Sequence, residues 1–311
     1  MRRIYSFLIA LIISLSVILP SSAAPSPTTA TLTIHYQPLV CAFRVYQVAE
    51  GTAEQLHLTA AFAGYADSVT GLSRLTELDS EEFRRLSFSL EALVLRDATA
   101  PAFVVQTNEM GEAFLPKVNL GLYLILGEQA EKEGYLYTPA PLLVWAPTLD
   151  DGVGEDYDVV VEYNKFQKEP LHNEWMDLRV LKIWQDKGRE KFRPVEIDVQ
   201  LWCDGDLYDT VQLNAKNNWH YSWKELSKKH IWTVTEKNVP SDYTVSVEKD
   251  PKGVVLYNKS TPPPPPPDEL PSTGQLWWPI PILLFAGLGL LVGAYMLHRN
   301  ESEESQGEKR L

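Results

Sequence analysis

Cysteine is nearly absent from this 311-residue chain: only Cys41 and Cys203 occur, too few for a disulfide-stapled scaffold. Six histidines are scattered without the spacing of a zinc motif such as H-E-x-x-H, so no metal and no cofactor are expected. A glycine-rich phosphate loop and a nucleophile elbow are both missing, so the chain does not read as an enzyme. Basic charge is short too. Lys and Arg number 28 against 41 Asp and Glu, a formal net charge of −13, which argues against nucleic acid or an anionic membrane as partner. Long apolar runs are confined to the two ends.

At the N-terminal end, residues 1–24 read as a signal peptide. Arg2 and Arg3 precede an apolar run over 7–19, and Ser21, Ser22, Ala23 and Ala24 supply the small residues of a cleavage site. That run is shorter than the ~20 residues needed to cross a bilayer. Residues 276–297 are different. They carry no charge and are long enough to span a membrane, with Trp277 and Trp278 at the outer edge and Arg299 beyond the inner one. Residues 298–311 then form a short cytoplasmic tail.

Immediately before that span stand Leu270, Pro271, Ser272, Thr273 and Gly274. Pentapeptide, apolar span and charged tail, in that order, resemble the L-P-x-T-G sorting signal of Gram-positive sortase substrates. The resemblance implies cleavage between Thr273 and Gly274 and transfer of the Thr273 carbonyl to an amine on peptidoglycan or on another protein. Sortase and peptidoglycan are therefore expected partners. The departure is the tail, where Glu301, Glu303, Glu304 and Glu308 dilute the usual basic cluster.

Between the ends lies enough chain for two domains. Residues 261–269 form a proline-rich stalk; its six consecutive prolines at 262–267 favour a stiff polyproline II rod of about 3.1 Å per residue. A second domain is expected over 177–260. Val195, Ile197, Val199 and Leu201 alternate with Glu196, Asp198 and Gln200, and Cys203 continues the apolar phase as a small buried hydrophobe. Asp204-Gly205 signals a hairpin turn, and further strands read at 218–223, 231–236, 243–247 and 254–258. About seven strands at this spacing indicate a β-sandwich.

The first domain is expected over 25–168, with strands near 32–35, 42–48, 102–106, 123–126, 142–145 and 157–163. Ser80-Glu81-Glu82-Phe83 opens a run of helical spacing to Leu95, so this is a sandwich with an inserted helix. Residues 160–165 echo 254–259, which hints at internal duplication. Cys41 and Cys203 fall in separate predicted domains, which argues against a bridge between them.

Three polar residues interrupt apolar faces of the second domain. Lys182 shares a face with Leu178, Val180 and Trp184; Glu236 with Trp232 and Val234; Asn258 with Val254 and Leu256. Unpaired, each carries a heavy desolvation penalty in a sandwich core. Burial favours the neutral forms of lysine and glutamate. A neutral amine beside a carboxamide, with an acid to shuttle protons, can form an amide and expel ammonia.

The segments Val180-Leu181-Lys182-Ile183-Trp184, Arg193-Pro194, Asn218-Trp219, Trp232-Thr233-Val234-Thr235-Glu236 and Tyr257-Asn258-Lys259 resemble a collagen-adhesin B-type (Cna-B) domain. That resemblance implies an intramolecular isopeptide bond between Lys182 and Asn258, assisted by Glu236. Residues 42–49, 121–125, 137–144 and 157–165 resemble the N-terminal domain of Gram-positive pilins. In shaft pilins a Y-P-K segment supplies the lysine that attacks a neighbour's sorting threonine. Tyr163-Asn164-Lys165 is the nearest match here and makes Lys165 the candidate inter-subunit acceptor, although asparagine replaces proline. The alternative is that Asn164 is the first domain's counterpart of Asn258. No lysine occurs over 31–35, so no second bond of the Lys182 type is expected.

The expectation is therefore an all-β chain of two Ig-like, prealbumin-like sandwiches in tandem plus a C-terminal transmembrane helix. It would be a secreted, cell-wall-anchored minor pilin, basal in the pilus, whose partners include other pilin subunits. A stand-alone adhesin binding a host matrix protein and a passive spacer are the alternatives.

Overall fold

A computed structural model describes residues 27–52, 54–150, 154–172, 174–250 and 253–261. The expected signal peptide, sorting motif, membrane span and tail, and the stalk apart from Thr261, lie outside the described residues. Among those described, no helix is long and apolar enough to cross a membrane.

Strands dominate. The first part runs β1 (Thr29–His35), β2 (Ala42–Thr52), β3 (Gln55–Leu58), a short helix α1 (Ala60–Ala63), helix α2 (Ser80–Arg96), β4 (Phe103–Gln106), β5 (Glu112–Asn119), β6 (Gly121–Gly127), β7 (Ala130–Lys132), β8 (Tyr135–Pro139), β9 (Leu142–Ala146), β10 (Thr148–Asp150), β11 (Gly154–Asp156), β12 (Asp158–Glu162) and β13 (Phe166–Pro170). The second part runs β14 (Trp175–Gln185), β15 (Glu196–Cys203), β16 (Asp206–Asn214), β17 (His220–Ser227), β18 (Trp232–Glu236), β19 (Tyr243–Asp250) and β20 (Gly253–Ser260).

In the first lobe a sheet β12-β1-β5 faces a larger sheet β3-β2-β6-β9, with β4 added on β2. Alternation divides β6 between two cores. Tyr123 and Ile125 pack with Leu32, Ile34, Phe43 and Val161 between the sheets, whereas Leu122 and Leu124 pack against Leu86, Leu90 and Leu93 of α2. This is why β6 reads as a nearly continuous apolar run. Helix α2 begins where the Asp79 carboxylate accepts the Glu81 and Glu82 amides, and Glu81 and Glu82 lie at its positive end.

The second lobe is a sandwich of β17-β14-β20-β19 against β16-β15-β18. Its core holds Leu178, Val180, Val199, Leu201, Trp223, Val234 and Leu256. The chain turns from β15 to β16 through Asp204 and Gly205, both at positive φ (51° and 96°), as the expected hairpin requires.

Two expectations at β15 are corrected. Val195 is 87% exposed, because it precedes the strand rather than sharing its inner face. Cys203 packs against the second-lobe core as its phase implies, but at the end of β15 it is only partly buried. Both cysteines are free thiols.

Up to Ser260 the described chain belongs to one compact unit. Helix α2 joins the lobes with the side its first-lobe core leaves open: Phe88 packs on the second-lobe core, and the Ser89 hydroxyl accepts the Val247 amide at 2.9 Å. Arg84 and Arg85 both reach Glu248 (2.6 and 3.1 Å), and the Arg85 guanidinium lies 4.3 Å from the centre of the Tyr257 ring. Residues 68–70 add a short parallel bridge to the edge of β19, with Thr70 N–H donating to Val245 O and Val245 N–H to Ser68 O, each at 2.8 Å.

Candidate functional site, a buried amine, carboxamide and carboxylate

Parallel pairing of β14 with β20 sets Lys182 opposite Leu256 and Trp184 opposite Asn258. Lys182 and Asn258 therefore emerge on the same inner face of adjoining strands. Strand β18, across the sandwich, brings Glu236 to the same place. All three are buried, Asn258 completely, and the side chains of Lys182 and Glu236 expose no area at all.

Glu236 touches both partners. Its Oε1 accepts a hydrogen bond from Asn258 Nδ2 at 3.0 Å, and its Oε2 stands 3.2 Å from Lys182 Nζ. The second approach is too poorly aligned for a hydrogen bond, so Lys182 Nζ, Glu236 Oε2 and Asn258 Oδ1 are buried without one. Leaving polar atoms in this state costs about 1–3 kcal/mol each, more for a charge. Burial pushes the Lys182 amine down to about 8, while the nearby Glu236 and Asp186 carboxylates resist that fall. A neutral, nucleophilic amine is thus accessible near neutral pH.

A second group of residues frames the amine. The Trp184 indole lies 4.8 Å from Lys182 Nζ and packs edge-on against Trp219 and Tyr243. Beyond it, Arg193 donates from Nε and Nη2 to the two oxygens of buried Asp186 (2.8 and 2.5 Å), and the Tyr243 hydroxyl donates to Asp186 at 2.9 Å. The Arg193 guanidinium holds the Asp186 carboxyl below the usual carboxylate range, with the Tyr243 hydroxyl assisting against burial. Burial, and then Asp186, push the Tyr243 hydroxyl up to about 12. Sequence reasoning missed Asp186 and Tyr243. The signal for Asp186 was the alternation 178, 180, 182, 184 carried one step further.

The first lobe repeats the strand arrangement but not the chemistry. Strand β12 runs parallel to β1, with Leu32 opposite Val159 and Ile34 opposite Val161. Aligned on the buried pairs Val180–Val254 and Leu32–Val159, Ile34 stands in the place of Lys182 and Tyr163 in that of Asn258. Tyr163 is buried and its hydroxyl donates to Ala140 O. Asn164, weighed from the sequence as a counterpart of Asn258, is exposed one residue further on. The echo between 160–165 and 254–259 is therefore one residue out of phase with the structure. Lys165 is exposed, between β12 and β13, and its backbone carbonyl accepts from Ala140 N–H at 3.0 Å. No contact joins it to the buried trio among the described residues.

Among the described residues, Cys203, Asp204 and His230 place potential metal-binding atoms within 4.8 Å of one another. The Asp204 carboxylate is already engaged by the Ile231 amide (2.7 Å) and by His230 Nδ1 (2.6 Å), which accounts for the cluster as a brace on the hairpin.

Residues 178–259 match the family described as Cna protein B-type domain. The collagen adhesin of Staphylococcus aureus is 36% identical over 87 residues, which cover 26% of this chain and 7% of that protein. The chain thus matches only a small part of the adhesin's length. Among solved structures, a single B repeat unit of the S. aureus collagen-binding surface protein is 16% identical, with 76% of this chain and 99% of that one covered at a TM-score of 0.27. A minor pilin of Streptococcus agalactiae is 16% identical (77% and 100% covered, TM-score 0.22), and the major pilin SpaD of Corynebacterium diphtheriae 9% (75% and 98%, TM-score 0.27). TM-scores this low carry no functional argument. The local match is another matter: what resembles a Cna protein B-type domain is residues 178–259, which span β14 to β20 and include every member of the buried trio.

Proposed function

We propose that the chain is a sortase-anchored cell-wall protein, a basal pilus subunit, whose second lobe is locked by an isopeptide bond between Lys182 and Asn258. The observation that carries this reading is the burial of an amine, a carboxamide and a carboxylate together, with Glu236 reaching both of the others.

In this reading Glu236 acts as the proton carrier. The neutral Lys182 amine already carries a free lone pair, and Oε2 faces Nζ to take the proton that Nζ sheds as it bonds to carbon. Nζ attacks the Asn258 carboxamide carbon, and a C–N bond forms as the bond to Nδ2 breaks. Oε1 already faces Nδ2 and returns the proton to it, so the nitrogen departs as ammonia and Glu236 is unchanged. The product is one amide, with no cofactor or external reagent consumed.

Such a bond has a mechanical use. Load entering β14 at its start and leaving β20 at its end pulls two neighbouring parallel strands past each other. A bridge from 182 to 258 carries that load covalently and leaves residues 183–257 outside its path, whereas unaided strands depend on hydrogen bonds worth ~1 kcal/mol net each.

Anchoring rests on Leu270, Pro271, Ser272, Thr273 and Gly274 followed by the apolar span, and pilus assembly on exposed Lys165 as acceptor for another subunit's sorting threonine. Domains over 25–168 and 177–260, raised on the proline stalk, are the matching organisation. The test is a wall extract. Material ending at Thr273 and a detergent-resistant ladder that disappears in a Lys165→Arg strain are expected. Material ending at Thr273 with an unchanged ladder, or none, would favour a stand-alone adhesin of host matrix; material retaining residues 274–311 would refute anchoring.

A further inference from the structure

The mechanism above uses Lys182, Glu236 and Asn258 and leaves Asp186 without a task. Yet Asp186 is a buried carboxylate just past the end of β14, one step beyond the alternation of Lys182 and Trp184. A carboxylate in that place works against the reaction, because it favours the ammonium over the nucleophilic amine. The fold answers this with Arg193, whose guanidinium grips both Asp186 oxygens in a two-pronged pair. The same guanidinium lies 5.7 Å from the centre of the Trp184 ring, and Lys182 Nζ lies 4.8 Å from it.

We propose that Arg193 is a positioning residue for isopeptide formation: by clamping Asp186 and supporting Trp184, it prevents Asp186 from holding Lys182 in its charged, unreactive form. The inference rests on the isopeptide reading and extends it to residues that touch neither reacting carbon nor leaving nitrogen.

The charged surroundings define what must be controlled. Lys182 is acted on by Glu236 from β18 and by Asp186 beyond the end of β14; Asn258 on β20 and Trp184 and Trp219 beside it are uncharged. Asp186 in turn meets Arg193 and Tyr243 directly and lies near Glu190, while Arg189 is bound through its backbone N–H to Asp186 O at 2.7 Å. Arg193 pairs with Asp186 through its guanidinium, so removing it leaves the Asp186 charge less compensated beside the amine.

This logic sets the two single variants apart. Arg193→Gln leaves Asp186 charged and unclamped, so cross-linking should slow at least about tenfold at neutral pH and recover only at higher pH, where the ammonium loses its proton. Asp186→Asn removes the charge and keeps the shape, so cross-linking should proceed at least as fast as in the native sequence, with its pH profile moved lower. The double variant Asp186→Asn/Arg193→Gln should regain the native rate.

The full chain, recovered unfolded from inclusion bodies, is refolded at pH 5 to 9 in mild detergent. Loss of ammonia is followed by intact mass, and tryptophan fluorescence reports refolding. Slowing in Arg193→Gln, none in Asp186→Asn and rescue in the double variant support the proposal. Equal slowing in both single variants would mean that the clamp merely holds the fold, and an unaltered Arg193→Gln profile would remove Arg193 from the chemistry; either overturns it while leaving the isopeptide reading intact. Should the native chain refold without losing ammonia, the isopeptide reading itself fails and the inference with it.

Discussion

Trp184 stands opposite Asn258 across β14 and β20, and its indole lies 4.8 Å from the Lys182 amine. Trp184 and Glu236 both lie against the buried amine, and Glu236 also hydrogen-bonds the buried Asn258 carboxamide. In this dry setting the amine cannot hold its proton as it would outside, and the bond becomes chemically reasonable.

Asn258→Ala should prevent the bond while leaving the strands paired. The bridge would close a loop from 182 to 258, and chain-entropy arguments for a loop of that length give about 4 kcal/mol at 25 °C. Denaturant unfolding should show a loss of that order for the second lobe, together with faster proteolysis between β14 and β20.

The same variant should acquire a pH dependence that the native chain lacks. Its free Lys182 has a folded value of about 8 against an ordinary 10.5. Between those values the unfolded chain binds a proton that the folded chain does not, so stability rises with pH across that window and carries a constant penalty below it. The change is on the order of 3 kcal/mol. A bonded lysine no longer titrates. Subtracting the native stability-versus-pH curve from that of Asn258→Ala should therefore leave an increase from about pH 8 to 10.5.

Glu248→Ala should loosen the junction between the lobes, because it removes the shared partner of Arg84 and Arg85 and leaves Arg85 its pairing with Glu81 and its place over Tyr257. A partly buried charged network of this kind contributes about 1–3 kcal/mol. Faster hydrogen exchange at the Val247 amide, which Ser89 holds, is the most local readout.

Gly205→Ala should destabilise the β15–β16 hairpin. At φ 96° the residue lies where side chains are strained, and an added Cβ would meet Leu95 O of α2 at 2.7 Å. A loss of at least about 1 kcal/mol in denaturant unfolding is expected.

Much of this was legible in the sequence where one strand face is wet. Strands β14 and β20 alternate enough to show Lys182 and Asn258 as polar residues on dry faces, and Glu236 follows from its place in phase with Trp232 and Val234, although every residue of β18 is buried. Legibility failed where the period slips. Strand β5 (Glu112–Asn119) was missed because its pairing with β1 shifts between Ala30 and Leu32, so Ala113, Leu115 and Val118 do not alternate. Strand β13 was missed because it is polar and mostly exposed, paired only with β8. The junction through α2 was not legible at all. Phe88 and Ser89 look like ordinary positions of an amphipathic helix until β19 is seen to lie against them.

Peptide mapping of the refolded or native chain by mass spectrometry tests the central claim most directly. The account expects an intact mass about 17 Da below that of the sequence, the ammonia lost on amide formation, and one branched peptide joining Lys182 to Asn258. Glu236→Ala should restore the full mass. A native chain of full mass, with Lys182 and Asn258 recovered on two separate peptides, would contradict it.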